Sequence, residues 1–165
     1  MKRIGLLSDT HSYLDPKILF HFEDCDEIWH AGDFGNIEVL QLLQNFKPLK
    51  GVYGNIDSKE IKLECPLIQS FHIEGMEILM IHIGGYPGHY SKSIKELFMK
   101  KKYDIFLCGH SHILKIMNDH TYNILTINPG AAGIHGFHQV RTIMKFDIDY
   151  GKVLNMKVIE LGKRA

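Results

Sequence analysis

Three short apolar runs in this chain finish in the same way: DEIWHAGD at Gly32-Asp33, PLKGVYGN at Gly54-Asn55 and YDIFLCGH at Gly109-His110. Such runs read as strands buried on both faces, and a glycine before a ligand-capable residue permits a sharp turn and close approach to a bound group. Two further runs end in chemistry-bearing residues, KRIGLLSDTH with Asp9 and His11, and MEILMIH with His82. This pattern constrains the fold strongly, because in an open α/β sheet the groups beyond the carboxyl ends of the strands meet in one crevice. Five separate segments are aimed at one place.

The stretches between these runs supply the layers. Asp15-Pro16 reads as an N-cap and first helical residue, opening a helix that carries Ile18, Leu19 and Phe22 on one face. NIEVLQLLQNF puts Val39, Leu42, Leu43 and Phe46 at helical spacing. The resulting βαβαβ order predicts a parallel sheet covered by helices. After Asp57 the pattern changes. SFHI and MEILMIH flank a hairpin turn at Glu74-Gly75, and a helix is predicted over 92–102, with Ser93 and Glu96 as a capping box and Ile94, Leu97 and Phe98 as its face. ILKIMN, YNILTIN, RTIMKFDID and KVLNMKVIEL then alternate, with a turn at 149–151, so the second half reads as mostly antiparallel. The expected class is mixed α/β (α+β), a single domain over 1–165, since no linker, repeat or low-complexity segment interrupts it.

Composition narrows the partners. Lys plus Arg and Asp plus Glu number 19 each, so no overall charge recommends a nucleic acid or a membrane surface, and attraction for an anion must be local. No stretch approaches the roughly 18 to 20 apolar residues of a membrane span, and the start lacks a signal-peptide core; a soluble, cytoplasmic protein is expected. Cys25, Cys65 and Cys108 are widely spaced with no CxxC pair, which reads as buried reduced thiols. The abundant residue is histidine, at 11, the commonest metal ligand.

The strand ends offer seven donors: Asp9, His11, Asp33, Asn55, His82, His110 and His112. One first-row ion takes about four to six, so seven nitrogen and oxygen donors fit two ions sharing a carboxylate better than one. Asp33 is the natural bridge. Two divalent cations with two carboxylates leave the centre net positive and attractive to a phosphate ester despite the neutral chain.

The ordered set SDTH, AGD, GN, H and GHSH resembles the calcineurin-like metallophosphoesterases, and the short chain resembles their compact single-domain phosphodiesterase branch, from about residue 3 to the Asn128-Pro129-Gly130 loop. The resemblance implies two packed mixed sheets flanked by helices, a four-layer sandwich. It implies that Asp9, His11, Asp33 and His112 hold one divalent ion and Asp33, Asn55, His82 and His110 the other, with manganese, iron, zinc, nickel or cobalt as candidates. It also implies hydrolysis of small phosphodiesters by a hydroxide bridging the ions, with Asn55 both ligating and orienting the phosphate. Asp57 is expected to support the ligands rather than join them. Homo-oligomers, frequent among relatives, are left open.

Two departures stand out. Where many larger relatives have GNH, whose histidine is thought to protonate the leaving group, this chain has Ile56, so acidic leaving groups are expected to be preferred. After His82, HIGGYPGHY replaces the compact relatives' HGH, which makes His89 a candidate substrate contact. His30 reads as core or as support for the ligands. His21, His72 and His120 read as surface residues, as do His135 and His138, although the loop before them approaches the site in relatives. The rival function is a retromer-subunit-like scaffold that shares the fold and works through protein contacts. A nuclease is disfavoured by the absence of a basic bias.

Overall fold

The computed structural model describes residues 1–165. In chain order its elements are β1 (Lys2–Leu7), α1 (Pro16–His21), β2 (Glu27–His30), α2 (Ile37–Phe46), β3 (Leu49–Gly51), α3 (Lys59–Glu64) and β4 (Ile68–Ile73). There follow β5 (Met76–Ile81), α4 (Lys92–Lys100), β6 (Ile105–Leu107), β7 (Leu114–Asp119), β8 (Ile124–Pro129), β9 (Val140–Asp149) and β10 (Lys152–Lys163). They form two five-stranded sheets, ordered β10-β9-β1-β2-β3 and β4-β5-β6-β8-β7.

The sheets face each other across a shared core. Ile4, Leu6, Trp29 and Val52 of the first sheet, with Met144, Phe146 and Ile148 of β9, meet Ile78, Met80, Leu107 and Ile127 of the second. The opposite face of the first sheet carries Leu7 and Ile28 under the helical residues Ile18, Leu40, Leu43 and Ile61 and under Phe22, the C-terminal cap of α1. Leu79, Phe106 and Cys108 lie under Ile94 and Phe98 of α4. Burial on both faces explains why the strands read as unbroken apolar runs rather than alternating ones. The architecture is the helix-sheet-sheet-helix sandwich expected.

Local signals fall where the sequence puts them. Asp15 caps α1, its side chain accepting from Lys17 N–H, and Pro16 opens the helix. Glu74-Gly75 and Tyr150-Gly151 turn their hairpins with φ of 47° and 82°, and 46° and 75°, the left-handed pair of a type I′ turn. The two turns touch, Gly151 N–H donating to the Glu74 carbonyl at 2.7 Å, so they tie the two sheets together at this end.

Four expectations are corrected. In α2 the buried face is Val39, Leu40 and Leu43, whereas Leu42 is half exposed, because the helix is rotated toward α3 and the sheet. The cap of α4 is Ser91, whose side chain accepts from Ile94 N–H, and the helix ends at Lys100; Ser93 instead sits inside the first turn, bonded to Ser91. The helix α3 was not anticipated. The second half also contains parallel pairs, β5 with β6 and β6 with β8, while β9 returns to pair with β1.

Candidate metal centre

The carboxyl ends of β1, β2, β3, β5 and β6 open at one end of the two sheets, and the predicted donors follow them. Two groups form: Asp9, His11 and His112, and Asp33, His82 and His110, with the donor atoms of each group within 4.8 Å of one another. An ion bonded at about 2.0 to 2.2 Å needs donors roughly 3 to 4.4 Å apart, so both groups are close to metal-holding geometry. The groups adjoin. Asp33 Oδ2 lies 3.3 Å from His11 Nε2 and 3.1 Å from His82 Nε2, and Asp9 Oδ1 lies 3.3 Å from His112 Nε2. Asn55 Oδ1 is 3.0 Å from His110 Nδ1, which places the amide beside the second group.

Three donor atoms carry the strongest signal. Asp9 Oδ1, His11 Nε2 and His82 Nε2 are buried with no well-aligned hydrogen bond, facing one another's carboxylates and imidazoles at 3.1 to 3.8 Å instead. Buried polar atoms are almost always satisfied, so three orphans converging on one space fit cations that would bond them directly. The residues present therefore suit two divalent ions. The His82 ring is also oriented for ligation, because its Nδ1 lies 2.7 Å from the Ala31 carbonyl, which fixes the proton there and turns the Nε2 lone pair inward.

The glycines of the opening pattern have a spatial reason. A Cβ on Gly32 would lie 2.6 Å from His82 Nδ1, one on Gly54 2.0 Å from Asp33 Oδ1, and one on Gly109 2.1 Å from Ser8 Oγ and 2.8 Å from Asp9 Oδ2. Each glycine leaves the space that a ligand-bearing residue of another strand fills.

The loops are held under strain. Asp9, His11, Asp33, His110 and His112 all have left-handed φ, between 45° and 71°. Such residues cost on the order of 1 to 3 kcal/mol each and persist only where surroundings impose them. Here Asp9 N–H donates to Gly32 O, His11 N–H to Asp33 O and Ser12 N–H to Phe34 O, lacing the loop after β1 to the loop after β2. Asp9 Oδ2 accepts from Ser8 Oγ and from His110 N–H, joining β1 to the loop after β6. Asp57 is the hub on the other side. Its Oδ2 accepts from Asp33 N–H and Gly54 N–H, and its Oδ1 from Gly35 N–H, at 2.8 to 3.0 Å. His30 is fully buried, stacked on Phe34, and bridges Gly32 N–H to Thr10 Oγ1; burial pushes its imidazole down to about 3.

The electrostatics call for positive charge. Burial alone would raise Asp9 and Asp33, but the surrounding imidazoles outweigh it and hold both carboxyls well below the usual range. Burial opposes charging His11, yet Asp33 and Asp9 lift it to about 9, and His82 is raised likewise. Metal binding at neutral pH would therefore compete with a proton on His11.

A calcineurin-like phosphoesterase superfamily domain profile matches residues 1–151. The chain belongs to that superfamily. A probable metallophosphoesterase of Methanothermobacter thermautotrophicus is 28% identical over 96% of this chain and 92% of its own length. Another, of Methanocaldococcus jannaschii, is 30% identical over 88% of this chain and 76% of its own. Among solved structures, Vps29 of Entamoeba histolytica complexed with zinc superposes with a TM-score of 0.72 at 15% identity, covering 99% of each chain; at that identity the likeness is one of fold. No helix of the domain is long and apolar enough to cross a membrane.

Several residues that sequence reading left aside border the centre. His135 is exposed, as expected, and stacks on His11 with ring centroids 4.8 Å apart, while the half-buried His138 meets His112 edge-on at 5.3 Å, so both border the centre. Gly136, at φ 127°, lets the chain pass, since a Cβ there would lie 2.2 Å from His112 Nδ1. His89 is exposed, packs on the Tyr86 ring at 4.4 Å and lines neither cavity at the centre.

Replacing Asp57 by alanine leaves the N–H groups of Asp33, Gly54 and Gly35 without their acceptor. The expected result is a 10- to 100-fold loss of metal affinity, read by titration with Mn²⁺ or Zn²⁺, while Asp57→Asn, which keeps an acceptor, loses less.

Proposed function

We propose that this domain is a two-metal phosphodiesterase acting on small phosphodiesters. The observation that carries the reading is the convergence of the orphaned Asp9 Oδ1, His11 Nε2 and His82 Nε2 between two donor groups. Asp9, His11, Asp33, His82, His110 and His112 would hold divalent ions there, which would lower the pKa of bound water and neutralise charge developing on phosphoryl oxygens. The side chains do the rest. Asn55 presents its amide beside His110, where it can orient a phosphoryl oxygen, and His135 on His11 forms the opposite wall of a cleft of about 470 Å³.

The rim supports a diester over a monoester. It carries Ile56, Ile113 and a fully exposed Phe137, and no lysine or arginine lines the cleft. A singly charged diester with apolar ester groups suits such a lip better than a dianionic monoester, which arginine or lysine would ordinarily receive. With Ile56 at the rim, no acid stands at that position, so leaving groups that depart without protonation are expected to react fastest. Manganese, iron, zinc, nickel and cobalt all accept this donor set. The three free, buried cysteines suit a reducing compartment such as the cytoplasm.

The likeness to Vps29 and the exposed Phe137 favour one rival, a scaffold that works through protein contacts. Chelating the protein, restoring each metal singly and assaying an aryl phosphodiester beside the matching monoester separates the two. Metal-dependent turnover with the diester faster is expected; inactivity with every metal would sink the enzyme reading.

A further inference from the structure

Next to the metal cleft lies a second cavity of about 250 Å³, and the two share His110, Ser111 and Ile113 as a common wall. Its size falls just short of the roughly 300 to 1,000 Å³ of whole-ligand pockets, so it has room for one ring-sized group rather than a complete small molecule. An ester arm on a phosphorus held at the metal centre would enter it directly.

The walls are apolar and open. Ile83 is 52% exposed, Tyr86 38% and Ile113 60%, unusual for large apolar side chains clustered beside a polar centre. Gly84 keeps the backbone flat here, since a Cβ would lie 2.3 Å from the Phe106 ring. Cys108, on the floor, is no nucleophile, because its Sγ donates to Gly85 O and burial pushes the thiol up to about 12.

One charge interrupts this surface. Lys115 lines the cavity, half-buried, with its Nζ 3.6 Å from the centre of the Tyr86 ring. It forms no ion pair, and no carboxylate lines the cavity. A half-buried cation held over an aromatic ring with no counter-charge, at a ring-sized apolar cavity, is a receptor for an anionic edge. The wall is tied to the metal loop as well. Lys115 pairs in register with Asn128, whose amide donates to Gly109 O and Ser111 Oγ.

We infer that this cavity is the subsite for one organic arm of the phosphodiester, and that it selects a flat ring bearing an anionic edge, with Lys115 meeting the anion and Ile83, Tyr86 and Ile113 holding the ring. The inference rests on the phosphoesterase reading of the adjoining centre.

Binding of three phosphonates to the metal-loaded protein, followed by calorimetry, tests both at once. Methylphosphonate reports the metal centre alone, phenylphosphonate adds the ring and 4-carboxyphenylphosphonate adds the anion. The last is expected to bind about 10- to 100-fold more tightly than the first. Lys115→Met should remove the gain from the carboxylate and keep that from the ring. Ile83→Trp, which fills the cavity from an exposed position, should remove both and leave methylphosphonate unchanged. Equal affinity for all three, or gains that survive both variants, would overturn the subsite while methylphosphonate binding upholds the phosphoryl site. Failure of every phosphonate to bind would overturn the phosphoesterase reading and the subsite with it.

Discussion

Changing Asp33 to asparagine is expected to cut kcat/KM for an aryl phosphodiester by about 10³-fold or more and to lower the metal bound per chain. The side chain keeps its shape, and its Oδ1 position still accepts from Ile56 N–H, which Asp33 does at 3.1 Å. The backbone N–H still donates to Asp57. What is lost is the negative charge at Oδ2, between His11 Nε2 and His82 Nε2, where one oxygen adjoins both donor groups. A carboxylate shared by two ions would weaken both when removed, and several kcal/mol of charge stabilisation corresponds to about three orders of magnitude in rate. Metal analysis, melting temperature and rate together decide the point. An unchanged fold with full activity would refute the bridging role.

The second large effect concerns stability. Asp15 and Arg141 form a nearly buried pair, Nη1 to Oδ2 at 2.7 Å, with Arg141 also donating to Leu161 O and Lys163 O. Asp15→Ala leaves a nearly buried guanidinium without its counter-charge, its two carbonyl partners remaining, and removes the cap of α1. At pH 7 the expected cost is about 3 to 5 kcal/mol, seen as a lower urea midpoint. The pH dependence follows from the shift. Burial alone would raise the Asp15 carboxyl, but Arg141 and Lys17 N–H outweigh it and bring it below its ordinary value. A carboxyl lower in the folded state contributes fully above its unfolded pKa of about 4 and loses that contribution as pH falls through the folded value. The gap between parent and variant should thus be wide at neutral pH and close below about pH 4. A gap independent of pH would show that the cap and packing, not the ion pair, carry the cost.

The donor set shows how far local reading reaches. Asp9, His11, Asp33, Asn55, His82, His110 and His112 were legible because each follows a buried run, and for Asp33, Asn55 and His110 a glycine marks the spot. The hairpin turns were legible for a similar reason, since Gly75 and Gly151 take up left-handed φ at no steric cost, although Glu74 and Tyr150 adopt it only because the turn imposes it. The helix α3 was not, since KEIKLE is six residues long and its cap, Ser58, makes no side-chain bond. A helix this short draws its stability from packing, here through Ile61.

The sequence by itself determined the strand ends, the turn residues, the apolar runs and the chemical types at the centre, since these depend on spacing and on each residue's own preferences. Only the tertiary structure decided that β9 returns to β1 and that β5, β6 and β8 run parallel. The same is true of the left-handed geometry of the candidate metal donors, of His135 resting on His11, and of Lys115 reaching the cavity beside His110. Those features are contacts between residues far apart in the chain. They follow from burying two sheets against each other, and no window of local sequence contains both partners.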